Sequence, residues 1–241
     1  MKQSKNKGFI SEVFASIQGE GLFVGTPQIF IRLSPVAGEL PAEDTFVLRT
    51  LPGQRNQFAR NPVSPGRLFQ MLSDTYSLDQ FFCISLIGDD PLHQADFLAE
   101  LLPIFSGAGM QTFIQTSGTP LAEFSRLLPL VNRWCIDLKC NTGKGMVRCS
   151  KTLEKIIEQT SPENTYFRLV IDVDDDPEKL LSTLSSLRTD DYTLILQPWA
   201  VFPAHISDWD TGTIINWIQI FKPCFFQVRW IPQVHKLLRI L

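Results

Sequence analysis

Short apolar, β-branched runs alternate along this chain with segments of helical periodicity, and that alternation limits the possible folds more than any other feature. Runs of strand length and composition lie at Gln28–Leu33, Phe81–Leu86, Gln111–Gln115, Arg133–Leu138, Tyr166–Ile171, Thr193–Leu196 and Phe225–Trp230. Helix-like segments fall between them, near Pro65–Asp74, His93–Phe105, Leu121–Leu130, Lys151–Gln159, Pro177–Leu187 and Thr213–Phe221. Ser64-Pro65, Ser150 before Lys151, and Asp176-Pro177-Glu178 supply helix-start signals. Repeated βα order predicts an α/β fold with a mostly parallel sheet covered by helices. Near-continuous apolar runs such as Phe81-Phe-Cys-Ile-Ser-Leu86 suit strands covered on both faces.

Composition narrows the function. The 241 residues carry 22 basic and 25 acidic side chains, a net charge of −3 with no basic block, which argues against a nucleic-acid groove. No apolar run reaches the ~20 residues of a membrane span. The basic N-terminus is followed by an apolar stretch broken by Glu12 and Gln18, a poor signal peptide. The five cysteines, 83, 135, 140, 149 and 224, are scattered without a C-x2-C pair, as buried thiols in a reducing cytoplasm would be. No linker stands out, so a single domain over residues 1–241 is expected. The least regular stretch, Leu51–Pro62, reads as a surface loop or lid. Asp172-Val-Asp-Asp-Asp176 lacks the glycine and distal glutamate of a calcium loop and reads as a turn with a helix cap.

Several short motifs carry candidate chemistry. Gln18-Gly-Glu-Gly21 ends a strand-like segment, and its glycines permit positive φ and close backbone approach. Gly25-Thr-Pro-Gln28 and Ile31-Arg-Leu-Ser34 follow, then Pro35-Val-Ala-Gly-Glu-Leu-Pro-Ala-Glu-Asp-Thr45. Further on come Ser85-Leu-Ile-Gly-Asp-Asp-Pro-Leu-His-Gln94, Gln115-Thr-Ser-Gly-Thr119, Cys135-Ile-Asp-Leu-Lys139, Leu196-Gln-Pro198 and Val228-Arg-Trp-Ile-Pro-Gln-Val-His-Lys236. Taken together, from about Ile10 to Leu238, these motifs resemble the 7-carboxy-7-deazaguanine synthases, radical S-adenosylmethionine (SAM) enzymes of the queuosine pathway.

The resemblance implies an open, partial (β/α) barrel with its site at the C-terminal ends of the strands. It also implies that Gln18, Gly19, Glu20 and Arg32 face a pterin-like substrate. Arg32 stands equally as a carboxylate ligand or as half of a strand-end ion pair. Thr45 matches a threonine that contributes to a magnesium site. Gly88, Asp90, Thr116, Asp137, Lys139 and Gln197 match residues lining the SAM pocket, with Asp89 in place of a family glycine and Asp90 in place of a glutamate.

The family's C-x3-C-x2-C cysteines, which hold a [4Fe–4S] cluster, align with Val36, Leu40 and Glu43. From that alignment the expectation is that no cofactor is bound: no cluster, and SAM and magnesium poorly provided for. The leading expectation is a pseudoenzyme without catalytic residues of its own. It would bind a pterin or deazapurine, or act as a homodimer or as a heterodimer with a paralogue, in the cytoplasm and away from nucleic acid and membrane. Trp209, Trp217, Phe225, Phe226 and Trp230 could supply the apolar dimer contact. Two alternatives stay open: non-radical acid–base chemistry through Glu20, Glu43, Asp44 or Asp90, and retained synthase activity.

Overall fold

In a computed structural model the chain forms two units, one within Met1–Gln18 and Gly25–Trp134, the other within Gly19–Val24 and Cys135–Ile240. The structure describes residues 6–35, 44–50, 55–138, 144–184, 187, 189–199 and 209–240.

The first unit contains β1 (Ile10–Ile17), β2 (Pro27–Leu33), β3 (Thr45–Leu48), β4 (Gln57–Arg60), α1 (Pro65–Thr75), β5 (Cys83–Gly88), α2 (Ala95–Gly107), β6 (Thr112–Thr116) and α3 (Leu121–Leu127). Its strands run in the order β6-β5-β2-β1-β3-β4. The β2–β5, β5–β6 and β1–β3 pairs are parallel, whereas β1–β2 and β3–β4 are antiparallel. Ile29, Ile31, Ile84 and Leu86 are fully buried, and α2 sets Phe97, Leu98, Leu101, Leu102 and Phe105 into the same core. Burying five such side chains contributes about 1.5–3 kcal/mol each before chain entropy is charged against it.

Two expectations change here. Leu51–Pro62 is not all loop, because Gln57–Arg60 forms β4. Its own sequence is a weak strand former, and pairing with Phe46-Val-Leu48 on β3 decides its conformation. Thr45–Leu48 likewise forms a strand that its sequence did not announce.

The second unit contains β7 (Arg133–Leu138), α4 (Lys144–Gln159), β8 (Thr165–Ile171), α5 (Pro177–Leu184), β9 (Thr193–Pro198), α6 (Thr211–Phe221), β10 (Gln227–Trp230) and α7 (Val234–Leu238). Its strand order is β10-β9-β8-β7, with β8–β9 and β9–β10 parallel. Asp210 caps α6 by accepting from Thr213 N at 3.0 Å, and Asp176 accepts from Glu178 N and Lys179 N at the start of α5. The acidic run is thus a turn and a cap. Most of the late aromatics pack within the chain. Trp209, Trp217 and Phe225 are buried, and Trp209 packs edge-on against Trp217 and tilted against Trp230. Only Phe226 of the five is strongly exposed, at 68%.

The sheets are open and mostly parallel, with helices between successive strands, so the α/β fold class read from the alternation stands. Among the described residues no helix is long and apolar enough to cross a membrane.

Candidate functional site

In the second unit, adjacent strand ends bring ionic side chains together. Every residue of β8 except Val170 is buried, and one of those buried residues is Arg168. A guanidinium cannot be left unpaired there. Arg168 Nε and Nη2 donate to Asp137 Oδ1 and Oδ2 at 2.7 and 2.8 Å, a bidentate pair with the end of β7. Arg168 Nη1 donates to Glu20 Oε2. Burial disfavours the charged guanidinium, but Cys135, Asp137 and Glu20 outweigh it and raise its pKa. The other Glu20 oxygen accepts from Gln233 Nε2 at 2.7 Å, which ties the glycine turn to the C-terminal segment.

Glycine makes that turn possible. Gly21 has φ +64°, and a Cβ there would collide with the Tyr166 hydroxyl. A Cβ on Gly19 would lie 2.7 Å from the backbone N of His235, while Val234 N donates to Gly19 O at 2.9 Å.

The same unit holds buried polar atoms that no described residue bonds. Gln197, at the end of β9, is 2% exposed, yet among the described residues no group donates to its Oε1. Gln233 Oε1 and Trp230 Nε1 are in the same position. Because Gln233 must offer its NH2 to a carboxylate, its oxygen is fixed as the open acceptor. Ile231 N bonds Leu196 O at 3.0 Å, which holds the exits of β9 and β10 together. Buried groups left open in this way are uncommon and call for an explanation.

In the first unit, the sequence-predicted residues serve the fold. Asp90 Oδ1 accepts from Leu92 N and Thr116 Oγ1, at 3.1 and 2.7 Å. Its Oδ2 accepts from Ser117 N and Oγ, at 3.1 and 2.8 Å. Those four bonds occupy the lone-pair sites of a carboxylate. Asp89 is exposed and stands 4.0 Å from His93. Gly88 has φ +145°, and a Cβ there would sit 2.5 Å from Leu33 O. Arg32 Nε pairs with Glu12 Oε1 at 2.9 Å over the Phe14 ring, and Glu12 Oε2 is shared with Arg49 at 3.0 Å. Gln18 is buried, and its amide donates to Gln28 Oε1 at 3.3 Å. Thr45 is exposed at the start of β3. Val36, Leu40, Glu43 and Lys139 lie outside the described residues.

The thiols are buried rather than reactive. Burial pushes Cys83 up from 9.0 to about 11 and raises Cys135 as well. At pH 8 Cys83 should therefore carry roughly 100-fold less thiolate than an ordinary cysteine. Site-resolved mass spectrometry after brief iodoacetamide treatment should find Cys83 unmodified in native protein and alkylated after denaturation. Rapid native labelling would contradict this placement.

Sequence reasoning missed Arg168 and Gln233. A charged residue inside the apolar run Tyr166–Ile171 was a signal for the first. Among the described residues no three His, Cys, Asp or Glu side chains converge as metal ligands, and Cys83, Cys135 and Cys224 are free.

No family model matches the chain. Curated relatives do. The 7-carboxy-7-deazaguanine synthase of Archaeoglobus fulgidus is 24% identical over 237 residues, covering 95% of this chain and 97% of the relative. That of Methanopyrus kandleri is 28% identical over 249 residues, covering 95% and 92%. That of Methanospirillum hungatei is 36% identical over 132 residues, about half of each chain. The solved structure of QueE from Escherichia coli superposes with a TM-score of 0.54 at 19% identity, covering 95% of both chains.

These comparisons correct the expectation that no cofactor is bound. The relatives bear the name of the synthase, whose chemistry, as the resemblance implies, runs on a [4Fe–4S] cluster and SAM. Over nearly its full length the chain is similar to the 7-carboxy-7-deazaguanine synthases, and it shares the fold of QueE.

Proposed function

We propose that this chain is a 7-carboxy-7-deazaguanine synthase-like protein that binds a pterin or deazapurine ligand without radical turnover. The observation that carries the reading is that two buried amide oxygens of this unit, Gln197 Oε1 and Gln233 Oε1, have no donor among the described residues, while the amide of Gln233 itself holds Glu20. The amide edge of a pterin or a 7-deazaguanine offers adjacent N–H donors, which is what two open amide oxygens need. Its carbonyl would accept from Trp230 Nε1, a buried donor of the same unit that bonds no described residue. The lack of turnover rests on the sequence between Ile31 and Thr45, which contains no cysteine.

Acid–base chemistry has less support. Glu20 is committed to Arg168 and Gln233, and Asp90 to four internal donors. Neither carboxylate is free to move a proton on a ligand.

Calorimetric titration with 7-carboxy-7-deazaguanine tests the reading. Saturable binding is expected, and Gln197→Leu should weaken it by at least about tenfold, equivalent to ~1.4 kcal/mol. The same substitution should leave the ligand-free protein as stable as before or more so, because it removes a buried polar atom that has no partner. Wild-type protein that does not bind, or a Gln197→Leu variant that binds unchanged, would sink the proposal.

A further inference from the structure

We propose that the groove beside the outer edge of β4 docks an acidic, extended peptide segment of a partner protein. Strand β4 ends the strand order of the first unit, and among the described residues its one paired neighbour in that order is β3. A strand edge of this kind presents main-chain N–H and C=O groups to any strand that arrives. Beside it lies a cleft of about 420 Å³, lined by Lys7, Phe58, Arg60, Val63 and Arg67 among others, and by no carboxylate among the described residues.

A charge on an edge strand is by itself only the usual guard against aggregation. Two observations go further. Phe58 is 75% exposed, and it lies two residues from Arg60, hence on the same face of β4. A guarded edge would not also display a phenylalanine. The cations also come from three elements: Lys7 precedes β1, Arg60 ends β4 and Arg67 lies on α1. Among the described residues none of the three has an ion-pair partner, although Arg32, Arg49, Arg126 and Arg168 all do. Like charges gathered without counter-charges favour an anionic partner.

A peptide fits better than a nucleic acid. The chain carries a net charge of −3, and one exposed ring is no stacking series. A strand with alternating acidic and apolar side chains would pair with β4, set its carboxylates against Arg60, Arg67 and Lys7, and cover Phe58.

Fluorescence anisotropy of the full chain with a labelled peptide of alternating Glu and Val tests this. Saturable binding is expected, falling steeply as salt is raised. Arg60→Glu with Arg67→Glu should weaken it more than tenfold, and so should Phe58→Ser. All three positions are exposed, so unchanged melting temperatures should accompany the loss. Lys7→Glu serves as an independent variant. The proposal is overturned if no binding saturates, or if a Lys-Val peptide binds equally well. It is also overturned if the charge-reversed variants bind as wild type, if single-stranded oligonucleotide is preferred, or if the edge instead pairs two copies of this chain in light scattering.

Discussion

Arg168→Ala is expected to lower stability by about 3–5 kcal/mol, because it removes the guanidinium that two largely buried carboxylates share. In a chain of this size that corresponds to a fall of about 6–20 °C in melting temperature. The magnitude follows from placement. The Arg168 side chain is 7% exposed and those of Asp137 and Glu20 are 18% exposed, so solvent screens the trio poorly. Arg168→Lys should not rescue it, since an ammonium cannot make the bidentate contact to Asp137 while also reaching Glu20. Arg168→Met combined with Glu20→Gln and Asp137→Asn should regain much of the loss, because no charge is then stranded. Differential scanning fluorimetry checks the series. A shift under about 2 °C for Arg168→Ala, below 1 kcal/mol, would mean that the trio is hydrated and contributes little.

Gly88→Ala is expected to cost roughly 2–6 kcal/mol, from left-handed backbone strain of ~1–3 kcal/mol and an overpacking penalty of ~1–3 kcal/mol. At φ +145° the new Cβ would lie 2.5 Å from Leu33 O and 3.2 Å from Leu33 N. Both are backbone atoms of β2 held in register with β5, so neither can swing aside. Chemical denaturation should show a lower midpoint. An unchanged midpoint would mean that Gly88 is dispensable for packing and free for a ligand role.

The alternation that suggests a parallel sheet is legible because inner parallel strands such as β5, β6 and β9 are buried on both faces and are largely apolar. Arg133–Leu138 is found with the bounds read from its sequence, and the helix near Pro65 extends by one residue. Strand β4 was hidden because Gln57-Phe-Ala-Arg60 takes its conformation from a partner distant in sequence. The site was only half legible. Glycines such as Gly19 and Gly21 mark the turn. That Glu20 would be taken by Arg168, 148 residues away, is a tertiary fact with no local signature. Asp90 shows the converse, since a short sequence match suggested a ligand group where the fold uses a four-bond cap.

The central claim, ligand binding without radical turnover, is tested most directly in a single reaction vessel. Protein reconstituted anaerobically with iron and sulfide is incubated with SAM, a reductant and 6-carboxy-tetrahydropterin, and the mixture is followed by mass spectrometry. The account predicts that the pterin is retained by the protein on rapid gel filtration and that no 7-carboxy-7-deazaguanine is formed. Accumulation of that product over many equivalents of protein would contradict it and place the chain among the active synthases.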